Sequence, residues 1–395
     1  MGHPGGREDR AVRSSVVPVA PTPLRIGLVS DCYIPQVGGI EMQVHDLAQR
    51  LIAAGHDVLV VTPTAGPSVV DGVRVHRLDT PLLPFNIPFT PKSFRMTADV
   101  LLRAQVDVAH FHGGIASPLS YAAAYRTQRA GLPTVITTHC MWSYVTPIFG
   151  ALERVGHWSR WNAVFSAVSA VAAEPIERIA GGDREVLVLP NGIDQADWAV
   201  HPMERDRDDV RMVTVMRLAP RKRPLHLLRM MTRLRARTPT SIRLRLDVVG
   251  EGPERPSLER YIRRHGLGDV VFLVGRRTRD EIRAMYGRAD LFVAPANLES
   301  FGIAALEARC AGVPVVAKER TGISEFVEHG REGLLARSDA DMIDQLQRLV
   351  GDPELRLLIA KHNRETPVAV EWPRVVELNV AAYRAAIARY GSPSD

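Results

Sequence analysis

Apolar runs of strand length alternate with segments of helical periodicity along almost the whole of this 395-residue chain. Residues 24–30 form one such run, residues 40–54 place their apolar side chains at helical spacing, and residues 57–62 form the next run. The pattern continues with strands predicted at 73–78, 106–111, 134–138 and 163–168, and with helices predicted at 92–104 and 118–130. Such alternation is typical of a parallel, doubly wound sheet, so the sequence predicts an α/β fold.

A second series of the same kind follows a polar stretch, residues 195–209, which contains a run of six charged residues and is predicted to be a linker. Its strands are predicted at 211–216, 243–249 and 270–274, and its helices at 224–237, 256–265 and 279–288. We therefore predict two Rossmann-like domains that face a cleft, 23–200 and 201–371, preceded by a disordered tail over residues 1–22. An amphipathic helix is predicted at the end of the chain, 372–391.

Composition and charge restrict the class of protein. A content of 46% hydrophobic and 24% charged residues is that of a soluble globular protein, and no apolar run approaches 18 residues, so no transmembrane helix is predicted. The first twenty residues lack the apolar core of a signal peptide, and the three cysteines form no metal-type pair, which favours a cytoplasmic, reducing location without disulfide or zinc. The net charge of +6 suits an anionic membrane or a phosphorylated substrate; nucleic acid is disfavoured, because no aromatic residues interleave the basic ones.

The segment 295–317 carries the strongest sign of function. Buried strands are predicted on both sides of it, at 290–294 and 313–317, and the turn Ser300-Phe301-Gly302 leads into an apolar helix. A strand, a glycine-bearing turn and a helix form the place where an open α/β sheet holds a phosphorylated ligand. Glu299 and Glu307 flank this turn, about 12 Å apart along a helix, which suits the sugar and the ribose of a nucleotide sugar. A solvated helix face is the alternative interpretation of a bare glutamate pair.

Cationic and glycine residues at other strand ends complete a predicted donor site. Arg217 ends a strand and Lys222 precedes the next helix, so both can converge on one diphosphate; solvated surface charge is the alternative. Gly250 and Gly252 follow another strand, where they permit close approach of the backbone to a base or phosphate, or simply form a turn.

The first domain offers a second anion site and a histidine. Gly38-Gly39 lies at a predicted helix N-terminus, whose free amides favour an anion, but no G-x-G-x-x-G follows the first strand, which argues against hydride transfer. His139 follows the strand 134–138 at its carboxyl end, the ligand side of such a sheet. A histidine satisfied within the core is the alternative.

Together these elements resemble the retaining GT-B glycosyltransferases of family 4, which include the phosphatidylinositol mannosyltransferases and the enzymes that start GPI-anchor synthesis. The resemblance extends from residue 24 to about residue 390. Its most specific parts are the segments Val-Gly-Gly-Ile-Glu (37–41), Pro-Asn-Gly-Ile-Asp (190–194), Gly-Glu-Gly-Pro (250–253) and Glu-Ser-Phe-Gly (299–302), with Glu307 and the pair Arg217 and Lys222.

The resemblance implies a role for each matching residue. The loop at Gly38-Gly39 would meet the donor phosphate and the acceptor, Arg217 and Lys222 would hold the diphosphate, and Glu307 would bind the ribose. Glu299 would contact sugar hydroxyls, and His139 would reach the transferred sugar near its 6-hydroxyl. The residues implied in donor binding are Gly38, Gly39, Gly250, Gly252, Ser300, Phe301, Gly302, Ile303 and Glu307. The last helix would cross back onto the first domain.

The same resemblance implies attack on the donor face from which the leaving group departs, with the leaving phosphate taking the acceptor's proton and the anomeric configuration retained. No cofactor and no metal-binding Asp-x-Asp is needed; we interpret 206–208 as linker charge and 339–341 as a helix start. The turn 321–325 reads Thr-Gly-Ile-Ser-Glu rather than the usual Gly-Gly-x-Pro-Glu, which weakens the expectation of a donor contact there.

Several alternatives stay open on sequence grounds. Residues 82–95 mix apolar, proline and basic residues, and form either an acceptor flap that touches an anionic membrane at the inner face of the plasma membrane, or a packed loop. The donor can be GDP-mannose or a UDP-hexose, and the acceptor a lipid-linked inositol, a glycolipid or a small metabolite. A nucleotide-sugar 2-epimerase and a non-catalytic nucleotide-sugar-binding protein are the competing functions.

Overall fold

The chain folds around two sheets that are each covered on both faces. The computed structural model describes residues 22–36, 38–80, 90–114, 117–143, 146–182, 184–201 and 209–391. The strands of the first sheet are β1 (Arg25–Ser30), β2 (Asp57–Thr62), β3 (Val69–Val70), β4 (Val73–Arg77), β5 (Val108–Gly113), β6 (Thr134–Thr138), β7 (Val164–Ala167) and β8 (Leu187–Val188). The helices between them are α1 (Gly39–Ala53), α2 (Pro91–Arg103), α3 (Pro118–Arg129), α4 (Thr146–Gly156), α5 (Ala170–Ile179) and α6 (Gln195–Trp198).

The first sheet has the order β3-β4-β2-β1-β5-β6-β7-β8, and every pairing is parallel except that of β3 with β4. The chain reverses its direction of progress between β1 and β5. In an open parallel sheet such a switch point opens a crevice at the carboxyl ends of the strands, which is where ligands bind.

The second sheet is parallel throughout among its described residues. Its strands are β9 (Asp209–Val215), β10 (Arg243–Val249), β11 (Val271–Gly275), β12 (Leu291–Ala294), β13 (Val315–Lys318) and β14 (Gly333–Ala336), in the order β11-β10-β9-β12-β13-β14. Its helices are α7 (Pro224–Arg237), α8 (Arg255–Arg264), α9 (Arg279–Tyr286), α10 (Ile303–Cys310), α11 (Asp339–Gly351) and α12 (Pro353–Glu365). The switch point lies between β9 and β12.

The last helix, α13 (Trp372–Gly391), leaves the second sheet and packs on the first, against α1 and strands β5, β6 and β7. Its apolar face joins the core on that side of the first sheet through Trp372, Val375 and Tyr383, all at most 5% exposed. Just before it, the chain pairs with residues 190–194: Ile193 N–H donates to Val370 O (3.1 Å) and Trp372 N–H to Ile193 O (3.1 Å). The crossing expected from the family resemblance is thus present.

The α/β class is confirmed, and several details differ from the sequence predictions. Residues 195–198 of the predicted linker form α6, because Asp194 caps a helix there by accepting the Ala196 N–H (3.2 Å). Helices α4 and α5 were not predicted, and β3 pairs with β4 in antiparallel fashion, although the sequence predicted parallel pairing. The linker charge at 206–208 lies within residues 202–208, outside the described part of the chain, and the domain boundary between residues 200 and 201 stays a prediction.

Two further predictions are decided only in part. Residues 82–89 of the proposed acceptor flap lie outside the described residues, whereas Pro91 begins α2, with Thr90 accepting the Ser93 N–H (3.1 Å) as its N-cap. Asp339 begins α11 and is bound by Arg223 (2.7 Å) and Lys318 (2.8 Å), which agrees with a helix start.

Within the described ranges, no helix combines the length and the apolar character that crossing a bilayer requires.

Candidate active site

The turn between β12 and α10 is built as a helix N-terminus that opens onto the cleft. Gly302 caps α10 with φ of 93°, and a Cβ there would come within 2.4 Å of Ile323, so only glycine fits. Phe301 is buried beneath it, 2% exposed, in the core of the second domain. No side chain caps this helix, although Ala305 N–H donates to Gly302 O (2.9 Å), and a helix N-terminus without a side-chain cap favours an anion.

Glu299 and Lys222 meet at this turn. Lys222 Nζ lies 2.5 Å from Glu299 Oε2, and the two side chains are only 22% and 17% exposed. The residues predicted separately as a diphosphate cation and a sugar-binding carboxylate are therefore direct partners. The ion pair places a cation and an anion together at the start of α10, at the second sheet's switch point.

Glu307 lies on the second turn of α10 and is 9% exposed. Burial raises its pKa to about 8, an effect that Arg279 opposes and Asp46 reinforces. Asp46 on α1 accepts a hydrogen bond from Arg279 on α9 (2.9 Å), so Glu307 lies near a salt bridge between the domains. The ligand-free carboxyl is consequently protonated at neutral pH.

Arg217 is exposed just beyond the end of β9, on the side of the sheet where Lys222 lies. Gly250 and Gly252 pack against the same segment: a Cβ would come within 1.9 Å of Met216 O at Gly250 and 2.4 Å of Leu218 O at Gly252. Close packing of two backbones thus explains why both are glycines. Their contact with a donor stays a prediction.

The glycine loop of the first domain faces α10 across the cleft. Gly38 is the N-cap of α1, and a Cβ added at Gly39 would lie 3.7 Å from Ile303 Cδ1. The N-termini of α1 and α10 therefore lie next to each other. At the start of α1 the Glu41 carboxyl lies beside Gly38 and accepts its own backbone N–H, whereas no side chain caps α10.

His139 is hydrogen-bonded to the turn between β12 and α10. Ser300 Oγ donates to His139 O (2.7 Å), and Ser169 Oγ donates to Ser300 O (2.5 Å). The His139 ring is bonded on one side to His112, with 3.0 Å between His112 Nδ1 and His139 Nε2. Burial lowers the pKa of His139 to about 4, which makes the imidazole neutral at neutral pH.

The structure adds residues that sequence reasoning missed. Ser169 caps α5 and binds Ser300, and Glu325 accepts the Val171 N–H at the start of the same helix (3.2 Å). Asp31 ends β1, accepts hydrogen bonds from Ser120 N–H (3.1 Å) and Oγ (3.0 Å), and has its pKa raised to about 6 by burial. Its position after the first strand was the signal available for Asp31, and Glu325 ends the turn 321–325 that the family resemblance marks. No local pattern marks Ser169, which acts across the domains.

The predicted site residues therefore assemble around one cleft. Glu299, Lys222, Ser300, Gly302 and Ile303 lie at the start of α10. Gly39 and His139 contact that region from the first domain, Glu307 is one to two turns deeper, and Arg217 lies at a neighbouring strand end.

Comparisons with known proteins agree with this arrangement. The family model described as Glycosyl transferases group 1 matches residues 201–366, and the model described as Glycosyltransferase Family 4 matches residues 37–197. The phosphatidylinositol N-acetylglucosaminyltransferase gpi3 subunit of Schizosaccharomyces pombe is 25% identical over 82% of this chain and 72% of its own length. Glycogen synthase of Mycobacterium tuberculosis is 28% identical over 92% of this chain and 95% of its own.

Solved structures share the fold over nearly the whole chain. Sucrose-phosphate synthase from Thermosynechococcus elongatus superposes with a TM-score of 0.74 at 20% identity, covering 92% of this chain and 99% of that one. HepE of Anabaena in complex with UDP-glucose superposes with a TM-score of 0.71 at 20% identity, covering 92% and 100%. With two glycosyltransferase models on its two halves and this architecture, the chain belongs to family 4 of the glycosyltransferases and is a glycosyltransferase with the GT-B fold.

Proposed function

We propose that this enzyme moves a hexosyl group from a nucleoside-diphosphate sugar to a hydroxyl acceptor with retention of the anomeric configuration. The observation that carries the proposal is the contact of Lys222 with Glu299 at the uncapped N-terminus of α10, beside the Ser300–His139 bond. A cation, an anion and free amides meet at the edge of the cleft. A diphosphate and a sugar hydroxyl need these groups side by side.

The donor would lie along α10. The amides of its first turn, Lys222 and Arg217 would hold the diphosphate, while Glu307 would bind the ribose hydroxyls. Solved structures with the same fold support a nucleotide donor, since they hold UDP, UDP-glucose or ADP. Lys222 would exchange its bond with Glu299 for one with phosphate, which frees Glu299 to accept a hydrogen bond from a sugar hydroxyl.

The amount by which an enzyme lowers the activation barrier requires these groups to act together. Enzymes lower barriers by roughly 8–23 kcal/mol, whereas one charge-assisted hydrogen bond contributes about 1.5–3 kcal/mol. As the bond from the anomeric carbon to the phosphate oxygen breaks, the acceptor oxygen bonds to the same carbon from the same face. The acceptor's proton passes to the departing phosphate, whose negative charge the cations and amides stabilise.

An inositol-type or lipid-linked acceptor is the class that the relatives favour. Two of them are named D-inositol 3-phosphate glycosyltransferase and phosphatidylinositol N-acetylglucosaminyltransferase gpi3 subunit. The acceptor would enter beside the N-terminus of α1, where the Glu41 carboxyl lies next to Gly38 and burial raises its pKa. We propose in addition that no metal is required, because cations and amides would neutralise the diphosphate.

A ligand screen followed by a product assay tests the proposal. In a thermal-shift screen of UDP and GDP sugars, the donor at about 100 times its Kd should add roughly 2.7 kcal/mol of stability. Release of the nucleoside diphosphate should then require inositol phosphate or phosphatidylinositol, persist in EDTA, and give a product with the donor's anomeric configuration by NMR. An altered sugar without any acceptor would indicate an epimerase instead, and binding without release would indicate a non-catalytic protein.

A further inference from the structure

The face of the first sheet that packs on α13 carries a buried polar cluster within an apolar core. His110 and His112 project from the same face of β5, because residues two apart in a strand share a face. Their ring centroids are 4.0 Å apart, and both are at most 4% exposed. Burial lowers the pKa of His110 to about 3 and that of His112 well below its usual value, so both rings are neutral.

The hydrogen bonds of His110 form one self-consistent chain. Its Nδ1 lies 2.9 Å from Tyr383 Oη on α13, and its Nε2 lies 2.6 Å from Thr137 Oγ1, which in turn lies 2.6 Å from Ser166 Oγ. Ser166 Oγ donates to Ile136 O (3.2 Å). If Tyr383 Oη donates to His110 Nδ1 and His110 Nε2–H donates to Thr137 Oγ1, each of the three hydroxyls donates one hydrogen bond. His110 is therefore satisfied without His112.

Either His112 or His139 can donate the hydrogen bond between them, because both rings are neutral and each carries one N–H. If His139 donated to His112 Nδ1, the single ring N–H of His112 would lie on Nε2, which is buried and has no hydrogen-bond partner among the described residues. If His112 donates from Nδ1, its Nε2 is a bare acceptor instead. A buried N–H without an acceptor is rare in folded proteins, so the second form is favoured.

A small cavity of about 20 Å³ lies beside the two histidines, and His112, His139, Asn191 and Asn379 are among the residues that line it. A water needs about 10–15 Å³ and two or more polar partners, so one water fits in this cavity. His112 Nε2 itself is almost fully buried.

We propose that His112 is a positioning residue that donates from Nδ1 to His139 Nε2 and thereby fixes His139 in the tautomer with its proton on Nδ1. The ring nitrogen of His139 left to meet a ligand is then a hydrogen-bond donor. His139 serves a sugar oxygen as a donor and does not act as a general base. The catalytic part of this inference rests on the proposed function; the tautomer does not.

Nitrogen NMR of ¹⁵N-histidine-labelled, ligand-free protein tests the tautomer directly. Long-range ring correlations distinguish Nδ1–H from Nε2–H, and the His139 signals are assigned by their loss in His139→Gln. We expect Nδ1–H on both His139 and His112. An Nε2–H tautomer of His139 in the wild-type protein overturns the proposal without any variant of His112.

Variants of His112 test its role. In His112→Asn the amide keeps an N–H near the position of Nδ1 and should retain the tautomer and most of kcat. His112→Leu should release His139 to a mixture of tautomers and lower kcat by about tenfold to a hundredfold with little change in donor KM, as loss of an orienting partner does elsewhere. An unchanged His139 tautomer or an unchanged kcat in His112→Leu contradicts the positioning role.

Tyr383→Phe is the matched control. It removes a hydrogen bond on the same buried face but not the bond to His139, so it should lower stability and leave the His139 tautomer unchanged. A tautomer change in this control would assign the effect to general loosening of the core. If no substrate is turned over by the wild-type protein, the proposed function fails while the NMR result still decides the tautomer.

Discussion

At the scale of single residues, the site is defined by charges held out of water. Lys222 and Glu299 are each less than a quarter exposed and contact each other at 2.5 Å. Such a pair loses much of its hydration, so removal of one partner leaves the other uncompensated. The pair therefore contributes to structure in the ligand-free enzyme and, as proposed, to catalysis once a diphosphate replaces the carboxylate.

Lys222→Ala should lower turnover by roughly a hundredfold or more at saturating donor, as loss of one preorganised donor does in other enzymes. The matched control is Lys361→Ala, since Lys361 forms an exposed pair with Glu365 at 3.9 Å. Steady-state kinetics of both variants provide the measurement. A change below about threefold in Lys222→Ala would remove the phosphate clamp from the mechanism.

Glu307 gives a prediction for stability against pH. Its pKa is raised to about 8 in the folded state, from 4.5. A raised carboxyl pKa adds stability that is fully present below pH 4.5 and is lost as pH rises through 8. Glu307→Gln stays neutral, so relative to the wild type it should gain up to about 5 kcal/mol of stability at pH 8.5, and the gain should vanish below pH 4.5.

Urea unfolding of both proteins across this pH range measures the difference. Asp31, whose pKa is raised to about 6, changes the slope of both curves equally, so the comparison isolates Glu307. If stability fell with pH at the same rate in the wild type and in Glu307→Gln, the pKa of Glu307 would not be raised in the folded protein.

At the scale of elements, helix ends join the domains. Ser169 is the N-cap of α5, where its Oγ accepts the Ala172 N–H (3.1 Å) and donates to Ser300 O across the cleft. Glu325 approaches the same helix end from the second domain. The start of α5 is therefore bound at the turn that carries Glu299, and its capping affects the site as well as the helix.

Ser169→Ala should lower stability by about 1–2 kcal/mol and also reduce kcat/KM, because it removes a cap and a bond between domains. Asp352→Ala is the matched control: Asp352 caps α12 by accepting the Leu355 N–H (2.9 Å), at the opposite end of α11 from Asp339. It should lower stability alone. Denaturant unfolding and kinetics on both variants separate the two roles; equal kinetic effects would show that Ser169 acts only as a cap.

At the scale of the whole molecule, the chain's last helix completes the first domain. Trp372 is 5% exposed and packs against Gly192, where an added Cβ would come within 2.4 Å of the indole ring. The segment that precedes α13 pairs with residues 190–194. The first domain therefore depends on residues from the end of the chain, which also bear Tyr383 of the buried cluster.

Trp372→Ala should destabilise the protein by about 3–5 kcal/mol, the range for truncating a buried aromatic side chain. Leu358→Ala provides the control, because Leu358 is 64% exposed on α12. Thermal unfolding with hydrogen exchange should show the loss of protection in the first sheet rather than in the second, although Trp372 follows the second in sequence. Loss confined to the second sheet would contradict this account of α13.

The local pattern determined much of this protein. Alternating periodicities determined the α/β class, and the position of Glu299, Gly302 and Glu307 around one helix start followed from spacing alone, because a helix begins where a glycine turn ends a strand. Strand-end residues such as His139 and Arg217 were predicted to face the ligand as well, since the carboxyl ends of parallel strands meet at one edge.

Only the tertiary structure decided which of these groups touch. The Lys222–Glu299 pair joins residues 77 positions apart, Ser169 reaches Ser300 over 131 positions, and Tyr383 reaches His110 over 273. Helices α4 and α5 and the hydrogen bond between His112 and His139 were also not predicted. The physical reason is that periodicity reports the face that an element buries, whereas a contact between elements depends on how separate sheets and helices pack together.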